Sequence, residues 1–195
     1  MINIFNIKKI DQSYLKSTID STFITEGAKT SLFENKIKKI TGAPYSITFA
    51  NWTLGLQAAL FNTIKSGDKI IVPNNTFAAS INSILAAKGV PIICDTDENL
   101  NFNYDLLERI LKRHKIKFIM IVPLYGSLPN LDIINLLKKK YKFKIIEDSA
   151  QSLFARYDDK SYAGTKGIWG GYSLYGNKIL TSGEGGVLIT KSKKL

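Results

Sequence analysis

Short apolar runs alternate with amphipathic stretches along most of the chain. A run of about 4–8 residues rich in isoleucine, valine or phenylalanine is typical of a buried strand, and apolar residues three or four positions apart are typical of a helix. The runs predict strands at residues 45–50, 69–72, 90–94, 118–122 and 143–146. The periodic stretches predict helices at residues 11–21, 54–64, 77–87, 103–114 and 131–141, and one that ends at Gly42 with Leu32, Phe33, Ile37 and Ile40 on one face.

Strands that are apolar throughout and alternate with helices indicate an α/β fold, in which a mostly parallel sheet is covered by helices on both faces. The 195 residues, 45% of them hydrophobic, are enough for one sizeable domain with its own core. Ligands of such sheets bind at the carboxyl ends of the strands, so the candidate functional residues are expected there.

The lengths of the apolar runs and the cysteine content indicate where in the cell the protein works. No apolar run reaches the roughly 18–20 residues of a membrane span, and residues 1–16 lack a signal-peptide pattern, so we expect no membrane association. The single cysteine, Cys94, allows no internal disulfide, which is compatible with a cytoplasmic protein.

The net charge of +11 raises the question of a nucleic-acid partner. The basic residues, however, lie in amphipathic segments such as KIKKI at 36–40 and KRHK at 112–115, with no aromatic residues between them. A solvated, lysine-rich helix surface explains this distribution better than a phosphate-binding face does. We therefore expect no nucleic acid to bind.

The stretch GYSLYGNKILTSGEGGVLIT, residues 171–190, carries the strongest candidate for chemistry. Lys178 lies between a strand-like apolar segment and a turn with glycines at 183, 185 and 186, after which an apolar run resumes. A lysine placed there can point from the end of a sheet into a pocket, and its partly desolvated amine is a nucleophile that forms Schiff bases. We interpret Lys178 as the residue that holds pyridoxal phosphate.

Other polar and aromatic residues also follow predicted strands. Thr53 opens a helix whose N–H groups can bind phosphate, and Ser173 adds a hydroxyl, although a helix cap and an ordinary strand serine remain alternatives. Asp148 ends a strand and suits a protonated pyridine nitrogen, or equally the capping of a turn. Gln151 is a candidate for the phenolic oxygen of the cofactor and Phe77 for its ring face, but a surface and a core position explain them equally well.

Familiar alternatives do not fit the sequence. GEGG at 183–186 is not a dinucleotide-binding GxGxxG, because Leu188 stands where the third glycine is required. The glycines at 171 and 176 are followed by Asn177-Lys178-Ile179 instead of the Lys-Ser/Thr of a phosphate-binding loop. His114, the only histidine, lies among lysines at a helix end, which argues against a histidine-based metal site or catalytic triad.

Several stretches carry a family resemblance that extends over essentially the whole chain in order. The specific matches are GDKIIVPNNTFAASINSILAAKGVPIICD (67–95), VPLYGSLPN (122–130), EDSAQS (147–152) and YSLYGNKILTSGEGG (172–186), and FITEG (23–27) and FANWTLGLQAAL (49–60) match more loosely. Together they resemble the DegT/StrS family of sugar-nucleotide aminotransferases, which have the type I fold of pyridoxal-phosphate enzymes. The YGNK around the lysine is most similar to enzymes that aminate C4 of a nucleotide-linked 4-keto-6-deoxysugar, perosamine synthases among them.

The resemblance implies a role for each matching position. Lys178 is similar to the Schiff-base lysine, which also carries protons as acid and base. Asp148 is similar to the partner of the pyridine nitrogen. Ser173, Thr53 and the backbone of Trp52 would hold the phosphate group.

Two further cofactor positions and three departures follow from the same comparison. Phe77 would stack on the ring, and Gln151 would lie near its oxygen. Trp52 stands where the family has a small residue, Pro123 where histidine is frequent, and Phe154 where glycine is usual. None of these three departures is expected to touch the lysine or the aspartate, so they should affect the fit of the substrate more than the binding of the cofactor.

The implied function is transfer of an amino group, from L-glutamate, to a nucleotide-linked keto-sugar for amino-sugar and surface-polysaccharide synthesis. Residues 1–195 would form the large cofactor-binding domain, with residues 1–30 as an N-terminal arm and loop, while the family continues into a smaller C-terminal domain that is missing here. The implied enzyme is a homodimer with sites between its subunits. The alternative hypothesis is an inactive fragment that binds a partner subunit or the cofactor without turnover.

Overall fold

A computed structural model describes residues 12–22 and 25–195 of the chain. The first eleven residues of the predicted N-terminal arm and the first two positions of FITEG lie outside these residues. The helices are α1 (Gln12–Asp20), α2 (Ala28–Thr41), α3 (Trp52–Thr63), α4 (Ala78–Ala86), α5 (Tyr104–Arg113) and α6 (Leu131–Tyr141), with a 3-10 turn at Leu124–Gly126. The strands are β1 (Tyr45–Phe49), β2 (Lys69–Pro73), β3 (Val90–Cys94), β4 (Phe118–Ile121), β5 (Lys144–Asp148), β6 (Trp169–Ser173) and β7 (Gly186–Thr190).

The strands form one sheet in the order β1-β7-β6-β5-β4-β2-β3. β7 is antiparallel to its neighbours β1 and β6, and the other pairs are parallel, so the prediction of a mostly parallel sheet is confirmed. The sequence pattern does not predict the reversed direction of β7. It follows from the connection, because residues 174–185 return the chain as a loop without a helix, whereas the crossover between parallel strands usually contains one.

Helices cover both faces of the sheet. On one face α3 and α4 pack over the strands, where Leu56, Ile70 and Ile84 are fully buried. On the other face α5 and α6 pack around Ile71 and Leu107. Neighbouring strand residues point to opposite faces. The central strands β2 and β4 are therefore apolar on both sides, which is the pattern from which the fold class was predicted.

The bounds of the elements follow the predictions to within one or two residues, and two small differences matter for the site. α3 begins at Trp52 because Asn51 caps it, its side-chain oxygen accepting a hydrogen bond from the Leu54 N–H at 3.0 Å. β5 continues through Glu147 and Asp148, so both acidic side chains belong to the sheet.

Other predictions concern residues away from the sheet edge. Of the apolar residues predicted to share a face of α2, Ile37 is buried, whereas Leu32 and Ile40 are 52% and 43% exposed. His114 is exposed at the C-terminal cap of α5, as expected. Cys94 is buried without a disulfide, and burial raises the pKa of its thiol to about 12. In the described part of the chain, every helix is too short or too polar to cross a membrane.

Glu147 organises the connection from β5 to β6. Its buried carboxylate accepts a hydrogen bond from the Tyr157 hydroxyl at 2.9 Å. It also accepts backbone N–H bonds from Gly164, Lys166 and Gly167 at 2.8, 2.5 and 2.7 Å. Burial raises the pKa of Glu147, and these donors oppose the shift. The carboxylate thereby ties the loop that leads into β6 to the end of β5.

We expect Glu147→Ala to lower the free energy of unfolding by roughly 3–5 kcal/mol, because it leaves several buried donors without an acceptor. Tyr157→Phe removes one donor and leaves the carboxylate in place, so it should cost only about 1 kcal/mol. Urea unfolding followed by circular dichroism measures both. Equal effects of the two substitutions would show that the backbone bonds to Glu147 contribute little.

Candidate cofactor site

The predicted site residues meet at the carboxyl edge of the sheet. Asp148 ends β5, and it pairs with Gly171 of β6, the strand that ends at Ser173. Trp52 begins α3 directly after β1, and Phe77 is the N-terminal cap of α4 after β2. Four chain segments that are far apart in sequence therefore deliver polar and aromatic side chains to one edge.

Asp148 is 4% exposed and is held by neutral donors. Its Oδ1 accepts hydrogen bonds from the Trp52 Nε1 at 2.7 Å and from the Ala150 N–H at 3.3 Å. Its Oδ2 accepts one from the Ser80 hydroxyl at 2.6 Å. Among the residues that the structure describes, no basic side chain forms an ion pair with it. Its negative charge is therefore available to a cationic ligand.

Ser80 and Thr76 belong to the site, although sequence reasoning did not single them out. The one hydroxyl hydrogen of Ser80 is directed at Asp148, so in the 2.8 Å bond between the two hydroxyls Thr76 is the donor. The pattern in the sequence that could have identified them is a pair of hydroxyl residues four positions apart. Ser80 lies on the buried side of α4, together with Ile84.

The Trp52 side chain corrects one expectation. The departures from the family pattern were expected not to touch the lysine or the aspartate, yet the Trp52 indole contacts Asp148 directly. The reason is that Trp52 is the first residue of α3, and its 4% exposed side chain packs between that helix and β6.

Lys178 is half-buried in the loop that joins β6 to β7. Its backbone N–H donates to the Tyr175 carbonyl at 3.0 Å. Burial lowers the pKa of Lys178, and the negative charge of Asp148 acts in the opposite direction. The two groups are therefore within electrostatic range of each other, and the amine loses its proton more readily than that of an exposed lysine.

The loop around Lys178 is fixed by its own hydrogen bonds. The Leu174 N–H donates to the Gly185 carbonyl at 2.9 Å, and the Leu174 carbonyl accepts from the Thr181 hydroxyl at 2.9 Å and the Ser182 N–H at 3.1 Å. Gly185 has a φ of 146°, and a Cβ there would lie 2.7 Å from the Ser182 hydroxyl oxygen. Only glycine suits this turn, which holds the lysine loop across the ends of two strands.

Donors for a phosphate lie at the start of α3 and the end of β6. Asn51 satisfies the Leu54 N–H through its side chain, while the N–H groups of Trp52 and Thr53 precede the first intrahelical bonds. The Thr53 hydroxyl has no hydrogen-bond partner in the described part of the chain. Ser173 accepts the Tyr175 N–H at 3.3 Å, which leaves its hydroxyl hydrogen free to donate.

Phe77 and Gln151 lie on the open side of the edge. Phe77 is 71% exposed, so it is not a core residue and its ring is accessible for stacking. Gln151 is half-buried, and its side-chain oxygen accepts the Tyr125 N–H at 3.4 Å. Tyr125 is itself 81% exposed and has a φ of 52°, an uncommon backbone conformation for a residue with a side chain.

These groups suit pyridoxal phosphate. A buried carboxylate without an ion pair matches a protonated pyridine nitrogen, a partly desolvated amine matches an aldehyde, and hydroxyl and N–H donors at a helix N-terminus match a phosphate. The Trp52 indole meets the sheet at Gly171, and the Trp52 backbone lies beside Gly186, the residue that pairs with Ser173, so the start of α3 lies next to the end of β6.

This combination defines the class: an α/β fold with the cofactor chemistry of aminotransferases at the carboxyl edge of its sheet. Residues 6–195 match the DegT/DnrJ/EryC1/StrS aminotransferase family. The chain belongs to that family, and the family and fold predicted from the sequence are thereby confirmed.

Individual relatives agree with this assignment. The chain is 36% identical over 188 residues to a GDP-perosamine synthase of Escherichia coli O157:H7, covering 95% of this chain and 51% of that protein. It is also 36% identical over 188 residues to a dTDP-3-amino-3,6-dideoxy-alpha-D-galactopyranose transaminase of Aneurinibacillus thermoaerophilus, covering 89% and 50% of the two. The crystal structure of an aminotransferase from Psychrobacter cryohalolentis superposes with a TM-score of 0.87 at 31% identity, covering 97% and 49%. The chain thus spans about half the length of the relatives it matches.

We expect Lys178 to become reactive toward acetic anhydride at a lower pH in the folded chain than in the urea-unfolded chain. Burial lowers its folded-state pKa below the 10.5 of an exposed lysine, so the free amine appears earlier as the pH rises. Asp148→Asn should lower the midpoint further, because it removes the charge that favours the ammonium form. Mass spectrometry of the Lys178 peptide measures the midpoint, and a value equal to or above that of the unfolded chain would contradict the burial argument.

Proposed function

We propose that this chain binds pyridoxal phosphate and works in an enzyme that transfers an amino group from L-glutamate to a nucleotide-linked keto-sugar. The observation that carries the proposal is the pairing of a half-buried amine with a lowered pKa, Lys178, and a buried carboxylate held by neutral donors, Asp148. A partly desolvated amine close to a buried carboxylate, at the carboxyl edge of an α/β sheet, is typical of catalytic sites. The aminotransferase relatives support the same cofactor.

Each residue has a separate role in binding. When bound, pyridoxal phosphate supplies an aldehyde and an electron-withdrawing ring to the reacting amine. Asp148 presents its negative charge to the ring nitrogen, while Thr53, Ser173 and the Trp52 N–H donate to the phosphate. Phe77 covers one face of the ring, and Gln151 lies near its oxygen.

Lys178 is the base and acid of the reaction. Its amine is partly desolvated, so a substantial neutral fraction exists closer to neutral pH than for an exposed lysine. With pyridoxal phosphate bound, the Nζ atom would be the group that holds the proton removed from the α-carbon of the amino-acid donor. The same atom would supply the proton that the amination of the keto-sugar requires.

The acceptor is a nucleotide-linked 4-keto-6-deoxysugar that is aminated at C4, for amino-sugar and surface-polysaccharide synthesis in the cytoplasm. The relative named as a GDP-perosamine synthase supports a nucleotide-sugar substrate. The relative named for a 3-amino sugar makes the position of amination the part of this proposal that most needs a test.

The active enzyme is a homodimer in which a second subunit covers the open side of the site. Large side chains at this edge are exposed in the single chain, among them Phe77 at 71%, Tyr125 at 81% and Ile179 at 78%. Apolar and aromatic groups grouped around a polar site are typical of a surface that a partner covers.

Reduction with borohydride in the presence of pyridoxal phosphate should fix the cofactor to Lys178, and Lys178→Ala should abolish the adduct. Lys193→Ala, which removes an exposed lysine near the end of the chain, is the matched control and should leave the adduct unchanged. Peptide mass spectrometry locates the modification. Adduct formation that survives Lys178→Ala would place the reactive amine elsewhere.

With L-glutamate and a GDP-linked 4-keto-6-deoxysugar, we expect 2-oxoglutarate and the 4-amino sugar as products of the purified protein. Nuclear magnetic resonance of the product locates the new amine, and a 3-keto isomer serves as the competing substrate. Amination at C3 alone would overturn the C4 assignment. Cofactor binding without turnover of either sugar would favour the alternative hypothesis of a binding-only chain.

A further inference from the structure

Trp52 differs from an ordinary core tryptophan because its polar atom meets a charged group. Its Nε1 lies 2.7 Å from the Asp148 Oδ1, and both side chains are 4% exposed. A hydrogen bond to a charged group is worth more than one between neutral groups, and a buried carboxylate depends on such donors. The contact is therefore a strong constraint on the carboxylate.

The chain has a slot that fits the indole. A Cβ added at Gly171 of β6 would lie 2.2 Å from two carbon atoms of the Trp52 ring, and one added at Gly186 of β7 would lie 2.5 Å from the Trp52 backbone. A Cβ at Gly55, one turn along α3, would lie 2.9 Å from the ring. Any side chain at Gly171 or Gly186 would displace the tryptophan. These two glycines therefore form the space that the indole occupies and fix its orientation.

This geometry divides the two oxygens of Asp148 between different donors. The indole and the Ala150 N–H occupy Oδ1, and the Ser80 hydroxyl, itself receiving the Thr76 hydroxyl, occupies one position on Oδ2. A carboxylate oxygen accepts two hydrogen bonds. Oδ2 therefore retains one free acceptor position, and the indole prevents the carboxylate from rotating this oxygen away.

We propose that Trp52 is a positioning residue, whose indole N–H fixes the Asp148 carboxylate so that Oδ2 is presented to the ring nitrogen of the cofactor. The inference rests on the proposed function for the identity of the ligand, but the contact itself exists without the ligand. The Trp52 side chain thus adds to the site a contact that the small residue usual at this position cannot make.

Trp169 provides a matched control. It is also a buried tryptophan, 1% exposed, but its Nε1 donates to the neutral Thr63 hydroxyl at 2.8 Å. Phenylalanine at either position keeps one six-membered aromatic ring and removes the N–H together with part of the ring volume, so the loss of packing is matched between the two variants. Both substitutions should lower stability similarly, and only Trp52→Phe should change the behaviour of Asp148.

The first measurement needs no cofactor. The chain contains two tryptophans, so its indole N–H region has two cross-peaks, which Trp52→Phe and Trp169→Phe assign. Because a carboxylate is a stronger acceptor than an amide, Asp148→Asn should move the Trp52 cross-peak upfield and leave that of Trp169 in place. A Trp52 cross-peak that does not respond to Asp148→Asn would overturn the contact.

The second measurement uses pyridoxal phosphate labelled with ¹⁵N in the ring. In the unsubstituted protein the ring nitrogen should show the shift of a protonated pyridine. Trp52→Phe should move it toward the unprotonated value and weaken cofactor binding by about tenfold, the change expected for one hydrogen bond to a charged group. Trp169→Phe should alter neither quantity.

The outcomes separate the two proposals. Failure of the unsubstituted protein to bind pyridoxal phosphate overturns the proposed function and, with it, the role of Trp52. Normal binding by the unsubstituted protein, combined with unchanged or tighter binding by Trp52→Phe, overturns the positioning role alone. An equal loss of affinity for pyridoxal phosphate in Trp52→Phe and Trp169→Phe would show that lost packing explains the effect. That result would also overturn the positioning role of Trp52.

Discussion

The site depends on two consecutive carboxylates at the end of β5 that point to opposite faces of the sheet. Alternation along a strand sends Glu147 to one side and Asp148 to the other. Glu147 binds the loop that leads into β6, and so positions the strand that carries Ser173 and continues to Lys178. Asp148 meets α3 and α4. One dipeptide thus connects the scaffold on one face to the candidate chemistry on the other.

Hydrogen bonds stabilise the Asp148 carboxylate, and none of the described basic side chains forms an ion pair with it. A lysine or arginine in contact with it would neutralise the carboxylate and weaken its attraction for a ligand cation. The indole, hydroxyl and backbone donors around it stabilise the anion without adding a positive charge. Lys178 lies within electrostatic range of Asp148, and its own pKa is lowered by burial. The negative charge of such a pocket is neutralised only when a cationic ligand binds.

The sequence predicted the strands and helices well because their signals are local. Apolar runs and asparagine caps such as Asn51 lie within a few residues of the elements they define. The positions of Asp148 at the end of a strand and of Lys178 in the loop after the next strand followed from the same local pattern. The direction of β7 and the contacts of Trp52 and Ser80 with Asp148 could not be predicted in this way. They join residues from distant parts of the chain, and only the three-dimensional arrangement brings them together.

The pairing of β1 with β7 has a consequence for the order of assembly. Among the described residues, 45–49 pair in this sheet with residues 186–190, so the strand that leads into α3 needs a partner from far along the chain. Contacts between residues this far apart in sequence form slowly, since a long loop must close first. The start of α3, with the N–H groups proposed to bind phosphate, therefore takes its final place only after β7 has docked. Folding intermediates without β7 would possess a core but not the assembled candidate site.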